Sequence, residues 1–114
     1  MSDKHMIMWN EPSREELEKL PRLYETDQIP LEDKIIQMHL FLGGSDWYLA
    51  EYSPEERLFF GYAILNKDYQ NAEWGYISYD ELRELRTQEG FEIDRDLHWK
   101  PALASKIPCI ITYG

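Results

Sequence analysis

Residues 34–42, KIIQMHLFL, carry apolar side chains with a period of two. That is the period of a strand, whose successive side chains leave opposite faces of the pleat. Ile36, Met38, Leu40 and Leu42 would share a buried face, with Gln37 and His39 opposite. Gly43 and Gly44 interrupt the run, so LGGS (42–45) reads as a hairpin connection to a second strand, DWYLAEY at 46–52. SPEE (53–56) follows, with Pro54 suited to the second position of a turn. The next stretch, RLFFGYAIL at 57–65, is apolar on both faces. Leu58, Phe60, Tyr62 and Ile64 alternate there with Phe59, Gly61, Ala63 and Leu65. A strand wetted on one side does not look like that, which predicts a central position in the sheet. Leu58, Phe60, Tyr62 and Ile64, with Ile36, Leu40 and Leu82, are expected to be largely buried.

Helix signals flank these strands. Ser13 and Glu16 in SREE form a capping-box pattern, and Leu17, Leu20 and Tyr24 recur at near-helical spacing before Pro21 bends or ends the run. In AEWGYISYDEL (72–82), Glu73–Ile77 alternates as a strand with Trp74 and Tyr76 on one face. Ser78 and Glu81 then make a second capping box, Leu82 and Leu85 an apolar edge, and Gly90 a stop. The phrase reads mainly as a strand–cap–helix seam, with a binding platform as the alternative. Gly61 and Gly75, inside strands, mark a bulge or a close approach by a neighbour. The tail predicts a strand at Leu97–Lys100, a turn at Pro101 and an extra edge strand within 108–114, while residues 1–12 read as a loose N-terminal segment. The order of elements predicts one α+β domain over residues 1–114, with an antiparallel sheet of about four to five strands and two short capped helices.

Charge narrows the function classes. Twelve Lys and Arg stand against 22 Asp and Glu, a net charge of −10, and no basic block is present to neutralise phosphates. Direct nucleic-acid binding is therefore not expected. The acidity serves solubility, or it imitates the charge of DNA to occupy a basic partner. A lone Cys109 beside Pro108 and Ile110 reads as a small core hydrophobe. The start of the chain has no signal-peptide core, and no run approaches the roughly 18 apolar residues of a membrane span, so the cytoplasm is the expected compartment.

Motifs for chemistry are sparse. His5, His39 and His98 lack metal-ligand spacing, and no metal or other cofactor is expected. No nucleophile elbow or phosphate loop occurs. One constellation stands out, DRDLHWKP at 94–101. If residues 97–100 are extended, Asp96, His98 and Lys100 share a face opposite Arg95, Leu97 and Trp99. Such a trio could support acid–base chemistry, or it could be an ion-paired strand edge.

LPRLYETDQIPLEDKII, WYLAEYSPEERLFFGY, AEWGYISYDELREL and IDRDLHWKP occur in an order that resembles a family of short bacterial proteins of unknown function. Its members are roughly 100 residues long, one ordinary domain, and are often encoded on plasmids, conjugative elements and phage-like regions. The resemblance covers about residues 17–101 and matches recurrent positions at Trp74, Gly75, Tyr76, Leu82, Arg95, Asp96, Lys100 and Pro101. Residues 108–114 depart from its shorter pattern. The resemblance implies no activity.

The expected function is thus a non-enzymatic interaction protein of a mobile element that binds another protein through an aromatic and acidic surface, with a nucleic-acid-binding defence protein of the host as the candidate target. The candidate surface residues are Tyr48, Tyr62, Trp74, Tyr76, Arg95, Asp96, His98, Trp99 and Lys100. The alternatives are a hydrolase or nuclease using Asp94, Asp96, His98 and Lys100, and a small-ligand pocket lined by Tyr48, Tyr62, Trp74 and Trp99.

Overall fold

A two-residue turn at Gly43-Gly44 joins the first two long strands in register, Leu42 opposite Ser45, with Gly43 in the left-handed region at φ +58°. The computed structural model describes residues 9–110. Its strands are β1 Ile35–Ile36, β2 Met38–Leu42, β3 Ser45–Ser53, β4 Leu58–Ile64, β5 Glu73–Ser78, β6 Asp94–Arg95 and β7 Ala102–Leu103. Five of them form an antiparallel sheet in the order β5-β4-β3-β2-β6, and β1 pairs with β7 in a second, two-stranded sheet. With α1 Arg14–Glu18 and α2 Tyr79–Glu84, the chain is an α+β protein. No helix among the described residues is long and apolar enough to cross a membrane.

Both faces of the large sheet are covered, which accounts for strands that are apolar on both sides. One core gathers Leu17, Leu20, Leu49, Phe59, Tyr79 and Leu82, where the helices pack. The other gathers Ile36, Tyr48, Tyr62, Ile64, Ala104 and Ile107, under the C-terminal segment. The middle strand is β3, buried at almost every position, and β4 lies beside it rather than at the centre. The β3–β4 register slips between Leu49 and Glu51. This bulge reverses the alternation, so Leu49 and Tyr52 share one core while Glu51 turns to the other face.

The phase of β4 differs from the expected one. Phe59 is fully buried, whereas Phe60 and Leu58 are only half-buried; Tyr62, Ile64, Ile36, Leu40 and Leu82 are buried as expected. The run 34–42 is not one strand. The chain breaks at Gln37, whose amide donates to the Leu49 carbonyl (2.8 Å), and Ile36 joins the core opposite Met38 and Leu40.

Local signals explain the helices. The Ser13 hydroxyl accepts from the Glu16 amide (3.1 Å), and the Glu16 carboxylate accepts from the Ser13 amide (2.8 Å). Ser78 makes only the first half of its box, accepting from the Glu81 amide at 3.2 Å. Gly90 does not end α2, which stops at Glu84; it sits at φ +91° in a small turn closed by the Arg86–Glu92 bridge.

The tail is rearranged. The strand there is Asp94–Arg95, paired with Leu40 and Phe41 of β2, and residues 97–98 form a turn closed by the Trp99 amide donating to the Asp96 carbonyl (3.2 Å). Trp9 is buried in the helix-side core, so residues 9–12 are not loose; residues 1–8 lie outside the described part. Residues 108–109 are in a turn, and the expected edge strand otherwise falls on residues 111–114, also outside it.

Candidate functional site

Because the chain turns at residues 97–98, the extended face expected for Asp96, His98 and Lys100 does not form. His98 and Lys100 are exposed, and Asp96 Oδ1 accepts from the backbone amide of His98 (3.0 Å). Asp94 Oδ1 accepts from the Asn10 amide (2.9 Å) and side chain (3.2 Å). Arg95 reaches Glu16 (Nη1–Oε2, 3.1 Å) and donates from Nε to the Asn10 carbonyl (2.9 Å). These bonds hold the N-terminal segment against β6. The Asp94/Asp96/His98/Lys100 cluster of the hydrolase alternative is therefore dispersed. Among the described residues, no group of three His, Cys, Asp or Glu is placed to hold a metal ion.

Asp96 points instead at His39. The imidazole lies between two carboxylates, with Nε2 2.8 Å from Asp46 Oδ1 and Nδ1 3.4 Å from Asp96 Oδ2. It stacks on Tyr48 (4.5 Å, 5° between planes), and Trp99 leans against both rings. The Trp99 indole donates to the Ile36 carbonyl (2.9 Å), and the Cys109 thiol donates to the Tyr48 hydroxyl (3.4 Å). Burial, then Cys109, pushes the Tyr48 pKa upward, so its hydroxyl stays protonated. Tyr48 and Trp99 are thus part of a clasp joining β2, β3 and the turn after β6, rather than an open surface. Only the register of the Gly43-Gly44 hairpin pointed to this cluster, since it sets Asp46 diagonally across from His39.

The remaining aromatic candidates form a ladder from core to solvent. Tyr62 is buried, with no hydrogen-bond partner for its hydroxyl among the described residues. Trp74 meets Tyr62 edge-on at 5.4 Å and stacks on Phe60 at 5.7 Å. Phe60 contacts Tyr76 at 5.4 Å, and Tyr76 contacts Tyr24 at 6.3 Å. The last two rings are 55% and 57% exposed. Sequence spacing assigned Tyr24 to the apolar edge of α1; it lies instead beyond the helix, in the left-handed region at φ +75°.

That conformation is uncommon for a tyrosine, and a buried polar network holds it. Glu51, only 3% exposed after the bulge turns it inward, accepts from the Tyr24 amide (3.0 Å), the Thr26 amide (3.1 Å) and the Thr26 hydroxyl. Lys34, 5% exposed, donates from Nζ to the Thr26 carbonyl (2.6 Å) and hydroxyl (2.7 Å). Thr26 thus bridges two buried charges, each with hydrogen-bond partners, as burial of charge requires. Above them is a cleft of about 380 Å³ whose lining includes Asp27, Ile29, Leu31, Phe60 and Tyr76. Partial desolvation, then Tyr24, then Asp27 and Glu51, raises the Tyr76 pKa. Glu51, Thr26 and Lys34 were not singled out from the sequence.

Comparison with curated proteins and with solved structures gave no match. The model of one family matches residues 5–106, a span that contains the ladder, the clasp and the buried network. The chain therefore belongs to the family described as proteins of unknown function, DUF2958.

Proposed function

We propose that this protein is a non-enzymatic binding module that recognises a basic protein partner through the Tyr24–Tyr76 platform and the carboxylates around it. The observation that carries this reading is Tyr24 itself. A buried carboxylate stabilises its strained backbone while the ring is left more than half in solvent against Tyr76. Backbone strain that the surroundings hold in place is a recurrent mark of binding sites. Tyrosine faces attract guanidinium and ammonium groups, and Asp27 adds charge of the right sign, while the buried Glu51 is balanced by Lys34. The net charge of −10 extends that attraction beyond the platform and steers a basic partner toward it. A protein that ordinarily meets nucleic acid has such a surface, and the acidic face would stand in for phosphates. The resemblance to products of mobile elements favours a host defence protein of this kind.

An arginine-rich peptide serves as the probe, titrated by calorimetry against the protein and a Tyr24→Ala/Tyr76→Ala variant of unchanged net charge. Two exposed cation–π contacts of about 0.5–1 kcal/mol each predict roughly tenfold weaker binding by the variant. Binding by both should also weaken with added salt. Equal affinity of the two proteins would leave only nonspecific charge attraction and would overturn the platform reading.

A further inference from the structure

A second cleft, of about 490 Å³, lies between α1, the turn after β3 and α2. In a strongly acidic protein it is lined by three arginines, Arg14, Arg57 and Arg83. Each is held through Nε: Arg14 by Glu18 (3.0 Å), Arg57 by Asp80 (2.8 Å) and Arg83 by Glu11 (2.8 Å). The last is an ion-pair contact without hydrogen-bond geometry, since the buried Arg83 Nε makes no hydrogen bond. The hydrogen bonds that Arg14 and Arg57 make to these carboxylates come from Nε, and the terminal Nη groups of the three arginines make no hydrogen bond among the described residues. Arg57 and Arg83 are held at the stem while their terminal donors stay open, and Arg14, with its side chain 90% exposed, is the least constrained of the three.

Two of the forks are also fixed by an aromatic ring. The guanidinium carbons of Arg57 and Arg83 lie 4.9 and 5.8 Å from the Tyr79 ring centroid. Tyr79 is buried and donates its hydroxyl to Glu11 (2.6 Å), the carboxylate that also meets Arg83. Arg57 is constrained at its backbone as well, at φ +52° with its carbonyl accepting from the Tyr79 amide (3.0 Å). Ion pairing alone does not call for this arrangement, because an exposed arginine–carboxylate pair gains most when two N–H groups of the fork engage the carboxylate. Glu11, Glu18 and Asp80 balance the three positive charges, yet they leave the terminal donors available.

We infer that this cleft binds the oxyanion of a small ligand, a phosphate ester or a carboxylate, in the open arginine forks. Guanidinium groups match the geometry of both oxyanions and are always charged. Tyr52, Leu17, Pro12 and Pro54 give the cleft apolar walls for a flat body attached to the anion. The site does not depend on the Tyr24–Tyr76 platform.

Phenyl phosphate and benzoate, with benzyl alcohol as the uncharged control, test this on the whole protein by NMR. Binding should shift the Arg57 and Arg83 Nε–H signals together with amides of residues 55–57 and 79–83. Preference for phenyl phosphate would assign a phosphate ligand and preference for benzoate a carboxylate. Arg57→Gln and Arg83→Gln should each weaken binding about tenfold, the scale of one charge-assisted hydrogen bond. Arg14→Gln, at a side chain 90% exposed, removes a fork without threatening the fold and should weaken binding too. Tyr24→Ala/Tyr76→Ala should bind these probes normally. Shifts equal to those with benzyl alcohol, or anion binding unchanged in both Arg14→Gln and Arg57→Gln, would overturn the assignment.

Discussion

Phe59→Ala and Phe60→Ala, adjacent substitutions of the same chemistry, should differ by about 2 kcal/mol or more in stability, the gap between emptying a core site and trimming a surface stack. Phe59 has no exposed surface, and its ring packs against Tyr52 (4.6 Å) and edge-on against Tyr79 (5.5 Å). Burial of about 150 Å² at about 25 cal/mol per Å² corresponds to about 4 kcal/mol. That falls inside the range of about 3–5 kcal/mol found when buried phenylalanines are truncated. Phe60 is half-buried and touches Trp74 and Tyr76 on the other face, so its truncation should cost about 1–2 kcal/mol. Urea denaturation measures both, with an unchanged m-value showing that stability alone has moved. The Phe59 variant should also melt lower by about 4 °C for each kcal/mol lost. Should Phe60→Ala prove the costlier of the two, or Phe59→Ala cost less than about 1 kcal/mol, the assigned phase of β4 would be wrong.

Gly61→Ala should destabilise by about 2–3 kcal/mol, because its Cβ would run into the Tyr48 carbonyl oxygen and sit 3.0 Å from Leu49 Cα. Gly75→Ala meets nothing within 4 Å and should stabilise by about 0.5 kcal/mol in the same melts. Lys34→Met or Glu51→Gln, by leaving one buried charge without its partner, should each cost about 3–5 kcal/mol. A double-mutant cycle should show the two costs to be less than additive, and strict additivity would deny the Thr26-bridged coupling. The Ser13 amide, then Arg95, holds the Glu16 carboxyl below its ordinary pKa. Its contribution is therefore present above the unfolded value and is lost as pH falls through the folded one; Glu16→Gln should flatten the fall in melting temperature below about pH 4.3. His39→Ala should cost about 1–3 kcal/mol by leaving the clasp carboxylates without their shared partner, while His98→Ala should stay within about 0.5 kcal/mol of the parent. Comparable losses at both histidines would undo the distinction between clasp and turn.

Much of the fold was legible because its causes are local. Ser13 and Glu16 are three residues apart and satisfy each other's amides within one helical turn. Gly43-Gly44 closes a two-residue hairpin, so the β2–β3 register follows from the turn itself. The composition of 57–65 showed that both faces of its strand are covered, and the two cores on either side of the sheet are the consequence.

That same composition left open which face Phe59 and Phe60 would take, since either phase buries apolar surface. The packing of Tyr79 and Tyr52 against one side of the sheet decided it. Period-two counting also passes straight through a bulge. The slip after Leu49 that turns Glu51 under Tyr24 depends on β4 alongside, not on residues near Glu51 in the chain. The candidate sites lie at the far end of this scale. His39 meets Asp96 across 57 residues, Tyr79 meets Glu11 across 68, and Arg57 meets Asp80 across 23. Sequence alone determined which segments could become strands and helices, because those preferences are set within a few residues. Only tertiary structure decided which charged and aromatic side chains became neighbours, because strand pairing and helix docking bring distant positions together.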